Sequence, residues 1–220
     1  MKVKLVGYTQ PAGEFSEHFS DAKDLIAYCA RVSNPSNQYN NQTADKLIRY
    51  LIKHKHWSPM ELASATLEVE TTRDIARQFL RHRSFSFQEF SQRYANPTED
   101  LDFEIRELRF QDTKNRQNSI EVDLTNSEHR ELNNLWVEKQ QEVIRAAKEA
   151  YTWAVSNGIA KEQARCVLPE GNIGSRMYIN GTIRSWIHYI EVRTDPSTQK
   201  EHRELAKAIA QVIAEIFPLD

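Results

Sequence analysis

Two hydrophobic periods share this chain, and the order in which they occur restricts its fold more than any other feature. Short stretches of period two stand among much longer stretches of period 3.6, and the two never settle into a regular βαβ alternation. Val3, Leu5 and Gly7 alternate with Lys2, Lys4 and Tyr8, and residues 63–71 alternate in the same way, so both predict strands. Residues 88–94 alternate again, and 102–109 predict another short strand. The rest is helical in pattern. Asp21 opens a helix carrying Leu25, Ile26 and Ala30 that ends near Ser33. Thr43 caps a second, bearing Leu47, Leu51 and Ile52, which ends in Lys53-His54-Lys55-His56, where cations suit the helix dipole, and is stopped by Pro59. Thr71 or Thr72 caps a third, running to about Leu80. A polar connection, 111–127, leads to a long helix from about Ser127 to Asn157, halted by Gly158, with Leu132, Leu135, Trp136, Val143, Ala147, Tyr151 and Ala154 as its apolar stripe. Helices over about 161–168, 176–193 and 197–216 complete the chain. The pattern predicts an α+β fold: one compact domain over residues 1–220, with helices packed on a small sheet.

Composition narrows the function. Lys and Arg number 29 against 31 Asp and Glu, a net charge of −2, which argues against a protein built to bind nucleic acid. No uncharged apolar run approaches the roughly 20 residues that span a bilayer. Only six Gly and seven Pro leave little room for long linkers. Cys29 and Cys166, far apart, suggest inert buried thiols rather than a disulfide. With an N-terminal segment that lacks the apolar core of a secretory signal, the expected location is the cytoplasm.

Against this neutral background, residues 73–93 hold five arginines with one aspartate and one glutamate. Such local positive charge suggests a discrete anion site. Arg77, Gln78 and Arg81 have the spacing to share a helix side, while Ile75 and Phe79 would dock that helix to the core. Beyond it, Glu89, Ser91 and Arg93 have period two and on a strand would point one way, with Phe85 and Phe87 filling an apolar layer beneath. Arginine forks bind phosphate bidentately, and Gln and Ser can read a heterocycle's edge, so the cluster suits a phosphorylated heterocyclic ligand. It would also suit a non-catalytic module holding RNA or a nucleotide phosphate, against which the net charge stands. Ser91 lacks the oriented histidine a nucleophile needs. His54, His56 and His82 have no zinc-site spacing, so no metal is expected. No G-x-G-x-x-G follows a strand.

Arg81-His82-Arg83, seven residues and then Ser91, resembles the R-H-R-x7-S signature of the flavin-dependent thymidylate synthases. The resemblance continues in order through Ala30-Arg31-Val32-Ser33, Lys53 to Pro59, Ala164 to Pro169, Arg184-Ser185-Trp186 and Arg193, covering about residues 20–217. It implies a homotetramer with active sites between subunits. It also implies reductive methylation of dUMP to dTMP, with methylenetetrahydrofolate as one-carbon donor, FAD as hydride carrier and NADPH as reductant. By the same resemblance Gln78, Phe79, Leu80, Arg81, Glu89, Phe90, Ser91, Gln92, Arg93, Arg165 and Arg193 belong to the dUMP site, with Phe79, Leu80 and Phe90 structural in character. Ser58, Arg81, His82, Arg83, Glu89, Thr182, Ile183, Arg184 and His188 match flavin positions, and His56 matches a histidine near flavin and folate. His188 and Gln88 each stand where relatives carry asparagine. Arg193 matches the residue assigned to ionising the pyrimidine, a role its permanent charge suits. At about 100° per residue, Arg184 and His188 would share one face of a continuous helix and Arg193 would face the opposite way, so one subunit would serve two active sites.

Overall fold

The computed structural model describes residues 1–217. Its elements run β1 (Lys2–Tyr8), α1 (Ala22–Ala30), α2 (Ala44–Lys53), β2 (Ser64–Thr72), α3 (Arg73–Phe79), β3 (Phe85–Glu89), α4 (Pro97–Asp100), β4 (Arg109–Gln111), β5 (Ser119–Glu121), α5 (Ser127–Ser156), α6 (Lys161–Ala164), β6 (Gly174–Thr182), α7 (Ile183–Arg193) and α8 (Lys200–Ile216). Four strands form one antiparallel sheet in the order β1-β2-β6-β3, and β4 and β5 form a separate hairpin. The α+β expectation holds.

The sheet has two chemically distinct faces because side chains alternate along each strand. Ala65, Leu67 and Val69 of β2 and Met177 and Ile179 of β6 point inward and are fully buried. Onto them pack Ile26 of α1, Ile48 of α2, Ile75 and Phe79 of α3, Trp186 of α7 and Leu205 and Ile209 of α8. The other face is a ladder of cross-strand polar pairs: Lys4 with Glu68 at 3.1 Å, Arg176 with Glu70 at 2.8 Å, and the Tyr178 hydroxyl donating to Glu68 at 2.8 Å.

Residues 176–182 are not helical. Met177, Ile179 and Gly181 alternate with Arg176, Tyr178 and Asn180 to make the central strand β6, and the helix begins only at Ile183, where the Thr182 hydroxyl accepts from the Ser185 N–H at 3.2 Å. Gly181 lets the sheet close: a Cβ there would meet the Phe85 ring at 2.3 Å. The strand expected over 88–94 lies instead at Phe85–Glu89, and Ser91 to Ala95 form a turn. The strand expected over 102–109 reduces to a bridge between Phe103 and Ile173 followed by β4, whose partner β5 lies inside the connection 111–127.

Helix ends follow local chemistry, with two changes. α2 stops before Pro59 is reached. Lys55 adopts φ +59, and the His56 N–H bonds Leu51 C=O at 2.8 Å, the same close that Gly158 (φ +78) makes after α5. Thr43 does not cap α2 through its side chain: its hydroxyl accepts from Arg31 Nη2 at 2.8 Å, so buried Arg31 ties down the loop before α2. α5 is capped by Asn126 and buries only one edge of its stripe. Ala147, Tyr151 and Ala154 are covered, whereas Leu132, Leu135, Trp136, Val143 and Trp153 are 41–64% exposed. Cys29 is half-buried, and burial raises its thiol pKa; Cys166 is exposed, contrary to expectation, because the turn Arg165–Val167 presents it to solvent.

Candidate active site

Three groups of the expected residues are assembled separately. The first surrounds Arg193, at the C-terminal end of α7. Its Nε–H donates to His82 Nε2 at 2.9 Å. Burial first, and the Arg193 charge second, lower the His82 pKa, so His82 is the neutral acceptor in this pair. No other hydrogen bond or ion pair among the described residues takes the Arg193 guanidinium, which leaves its two Nη groups as a planar fork of donors. Phe79 lies beneath as expected of a structural residue, fully buried and stacked on Tyr189 at 4.2 Å; Leu80 is half-buried behind it.

Gln78 turns toward α8, donating to Gln199 Oε1 at 2.8 Å and facing His202 Nδ1 at 3.2 Å. Arg77 turns away to Glu170, 2.7 Å from its Nε. Arg81 is exposed in the turn after α3. The three do not share a helix side, because α3 is seven residues long and ends at Phe79, before Arg81 can join its face.

The second group gathers at the start of α7. The Ile183 N–H donates to Ala63 C=O at 2.9 Å, and Ser185 Oγ donates to Ser84 C=O at 3.2 Å, which brings the exposed Arg83 beside the helix N-terminus. Arg184 pairs with Glu61 of the turn Ser58–Leu62, and His188 packs edge-on to Trp57 at 4.6 Å. The chain neighbours of Ser58 and Arg83 are thus tied to the helix that carries Thr182, Arg184 and His188, and the buried Ile183 can offer only its backbone. His56 is exposed just before this turn. α7 is continuous, so Arg184 and His188 share one side while Arg193 faces His82 on the other.

The third group lies at the far end of β3. Glu89 accepts from Ser175 Oγ at 2.7 Å and faces Arg73 Nη1 at 3.3 Å. It stands at the opposite end of β3 from the turn that carries Arg83: four strand steps separate it from Phe85, roughly 13 Å at 3.3 Å per residue. Ser91 and Arg93 do not extend the row, because the chain turns at Ser91: its Oγ accepts from the Arg93 N–H at 3.4 Å. Arg93 and Arg165 converge on Glu162, the former on its carboxylate at 3.5 Å and the latter on its C=O at 3.3 Å. Phe90 is half-buried, and its N–H donates to Arg176 C=O at 2.8 Å. Gln92 is 3% exposed, and its Nε2 has no hydrogen-bond partner among the described residues, an arrangement that costs roughly 1–3 kcal/mol unless something outside this chain satisfies it. Among the described residues no hydrogen bond or ion pair links the Arg93–Arg165 pair to the Arg193–His82 pair.

Behind Gln78 stand two residues without a sequence signal, Glu201 and His202. Burial would raise the Glu201 pKa, but the hydrogen bond from Arg109, with Arg106 nearby at 3.4 Å, brings it to about 2. His202 is fully buried, and burial, then the charges of Arg193 and His82, lower it to about 3. The unfolded chain therefore protonates His202 first, and its contribution to stability is complete above about pH 6.5 and is lost as pH falls toward 3. Glu201 contributes in the opposite sense of charge but loses its share only below about pH 4.5; His82, whose pKa is also lowered, responds over the same interval as His202, so the comparison with a variant singles out His202. Wild type should lose about 2 kcal/mol between pH 6.5 and 4.5 that His202→Asn does not, measured by urea unfolding at fixed protein concentration.

Residues 14–219 match the family described as thymidylate synthase complementing protein. The chain is 47% identical over 218 residues to a probable flavin-dependent thymidylate synthase of Paramecium bursaria Chlorella virus 1, covering 99% of this chain and 96% of that one. It is 45% identical, with the same coverage, to a flavin-dependent thymidylate synthase of Synechocystis sp.. A crystal structure of a UMP/dUMP methylase from Streptomyces cacaoi, bound with 5-bromo-dUMP, superposes with a TM-score of 0.75 at 24% identity over 98% of this chain and 90% of that one, which establishes a shared fold. With the signature, its flanking blocks and the fold in agreement, the chain belongs to the flavin-dependent thymidylate synthase family.

Proposed function

We propose that this chain makes thymidylate, methylating dUMP with methylenetetrahydrofolate as one-carbon donor, FAD as cofactor and NADPH as reductant. The observation that carries the reading is Arg193. A neutral His82 holds its Nε, so the guanidinium is oriented without its charge being cancelled. Two Nη donors aimed at a uracil ring stabilise negative charge on the ring nitrogen and carbonyl oxygens, which makes the 5-carbon more nucleophilic. No protein nucleophile is then required.

The group around the α7 N-terminus fits a flavin dinucleotide in its donor chemistry. Arg83 and Arg184 are cations suited to a pyrophosphate, and Ser58, Thr182 and His188 add hydrogen-bonding groups. When bound there, FAD supplies hydride chemistry that no side chain can. Glu89, Ser91, Gln92, Arg93 and Arg165 supply acceptor, hydroxyl and cationic groups suited to ribose and phosphate. Because the groups stand apart within one chain, we read each complete site as shared between copies in a homotetramer, with Arg184 and Arg193 of one α7 serving different sites. The orphaned Gln92 amide and the uncovered half of the α5 stripe support that assembly.

The purified protein should be yellow, should release FAD on denaturation, and should convert dUMP to dTMP with methylenetetrahydrofolate and NADPH. A protein that stays colourless after incubation with FAD and forms no dTMP, followed by chromatography, refutes the reading.

A further inference from the structure

We infer that His202, within a hydrogen-bond chain of fixed direction anchored on Glu201, holds the Gln78 amide in one orientation and so acts as a positioning residue for the nucleotide. This rests on the reading of Gln78 as a dUMP contact.

The chain runs through five side chains from three elements, α3, α7 and α8, and the loop before α8. Gln199 Nε2 donates to Glu201 Oε2 at 3.0 Å, Gln78 Nε2 donates to Gln199 Oε1 at 2.8 Å, His202 Nδ1 lies 3.2 Å from Gln78 Oε1, and His202 Nε2 lies 3.1 Å from the Tyr189 hydroxyl. An ionised carboxylate can only accept, and Glu201 is kept ionised by Arg109 and Arg106. That single constraint propagates. Gln199 must present its amide N–H to Glu201, so its oxygen faces Gln78. Gln78 must present N–H to that oxygen, so its own oxygen faces His202. His202 must then carry its proton on Nδ1, leaving Nε2 bare to accept from Tyr189. Tyr189 is fully buried, and burial raises its pKa well above the ordinary phenol value, so its hydroxyl is there to donate.

The consequence falls on the half of Gln78 that reaches the surface. One amide proton and one oxygen lone pair are consumed by Gln199 and His202; the second proton and second lone pair remain, in positions set by the chain. An amide free to rotate by 180° would offer donor and acceptor interchangeably, whereas this one offers them in one order. The Tyr189 ring packs edge-on to His82 at 5.1 Å, and His82 accepts from Arg193, so the chain ends one residue away from the guanidinium on which the proposed chemistry depends.

Two measurements on the FAD-loaded enzyme test this. In histidine-selective 15N NMR of the wild type, the His202 resonances, assigned by their loss in His202→Asn, should show a protonated Nδ1 and a bare Nε2; the reverse tautomer overturns the proposal without reference to any substrate. In steady-state kinetics, His202→Phe keeps a ring to pack against Phe79 and Tyr189 but removes the donor, and should raise KM for dUMP about tenfold, as expected when a buried polar partner goes unmatched, with a smaller change in kcat. His202→Asn loses the ring but returns an N–H near the Nδ1 position, and should restore KM to within about threefold of wild type. A packing role reverses that order, so a phenylalanine variant that binds dUMP as well as or better than the asparagine variant overturns the proposal. If wild type itself shows no saturation by dUMP, the functional reading fails instead, and the tautomer still decides the direction of the chain.

Discussion

Arg193→Lys should lower turnover of dUMP by about 10²-fold or more while leaving flavin affinity within a few-fold, a loss of the size seen when one preorganised donor to developing charge is removed. Lysine keeps the positive charge but not the planar fork, and a compact ammonium cannot bond His82 and two ligand atoms with the same geometry. The split between the two readouts is the informative part. Arg193 sits on the side of α7 opposite Arg184 and His188, so the change should not reach the residues proposed to hold flavin. dTMP formation under saturating substrates measures the first quantity, and titration of the flavin absorbance the second. Turnover equal to wild type would remove Arg193 from the chemistry, and a parallel loss of flavin would show that it holds the helix rather than the pyrimidine.

Trp136→Glu should abolish assembly and activity together. Trp136 is 41% exposed in the single chain and lies with Leu132, Leu135 and Val143 along the uncovered half of the α5 stripe. A carboxylate in the middle of an apolar contact between copies would be desolvated without a partner, at a cost of several kcal/mol. In the isolated chain the same side chain faces water, so the fold itself should change by no more than about 0.5 kcal/mol. Sedimentation velocity and dTMP formation at matched concentrations should therefore show smaller species that are folded, colourless and inactive. A folded monomer with full turnover would mean that one chain completes a site by itself, contrary to the separation of Glu89 from Arg83.

How the fold was legible depended on whether a segment's pattern was answered locally. β1, β2, α1, α2, α5 and α8 lie close to where periodicity places them, because each has one buried face and a recognisable end, such as Asp21 accepting from the N–H groups of Lys23 and Asp24. β6 was obscured. Its inward residues run on into those of α7 with no Pro at the junction, and Gly181, which packs against the Phe85 ring, is a lone glycine that a helical pattern tolerates, so a strand and a helix read as one long helix. The turn at Ser91 was obscured for a related reason: alternation continues in the residues after the hydrogen-bonded ladder has ended at Glu89.

The signature Arg81-His82-Arg83-x7-Ser91 and its flanking blocks were sufficient in sequence to place the chain in its family, since they require only residue identity and spacing. The tertiary structure decided what those residues touch. It paired Arg193 with His82, turned Arg77 from the ligand group to Glu170, left the Gln92 Nε2 without a hydrogen-bond partner among the described residues, and set Gln78 against Gln199 and His202, more than 120 residues away, with Glu201 behind them. Hydrogen-bond direction and pKa depend on distance and burial, which periodicity does not encode. A carboxylate and a histidine with no motif of their own thus become legible only once the chain has folded around them.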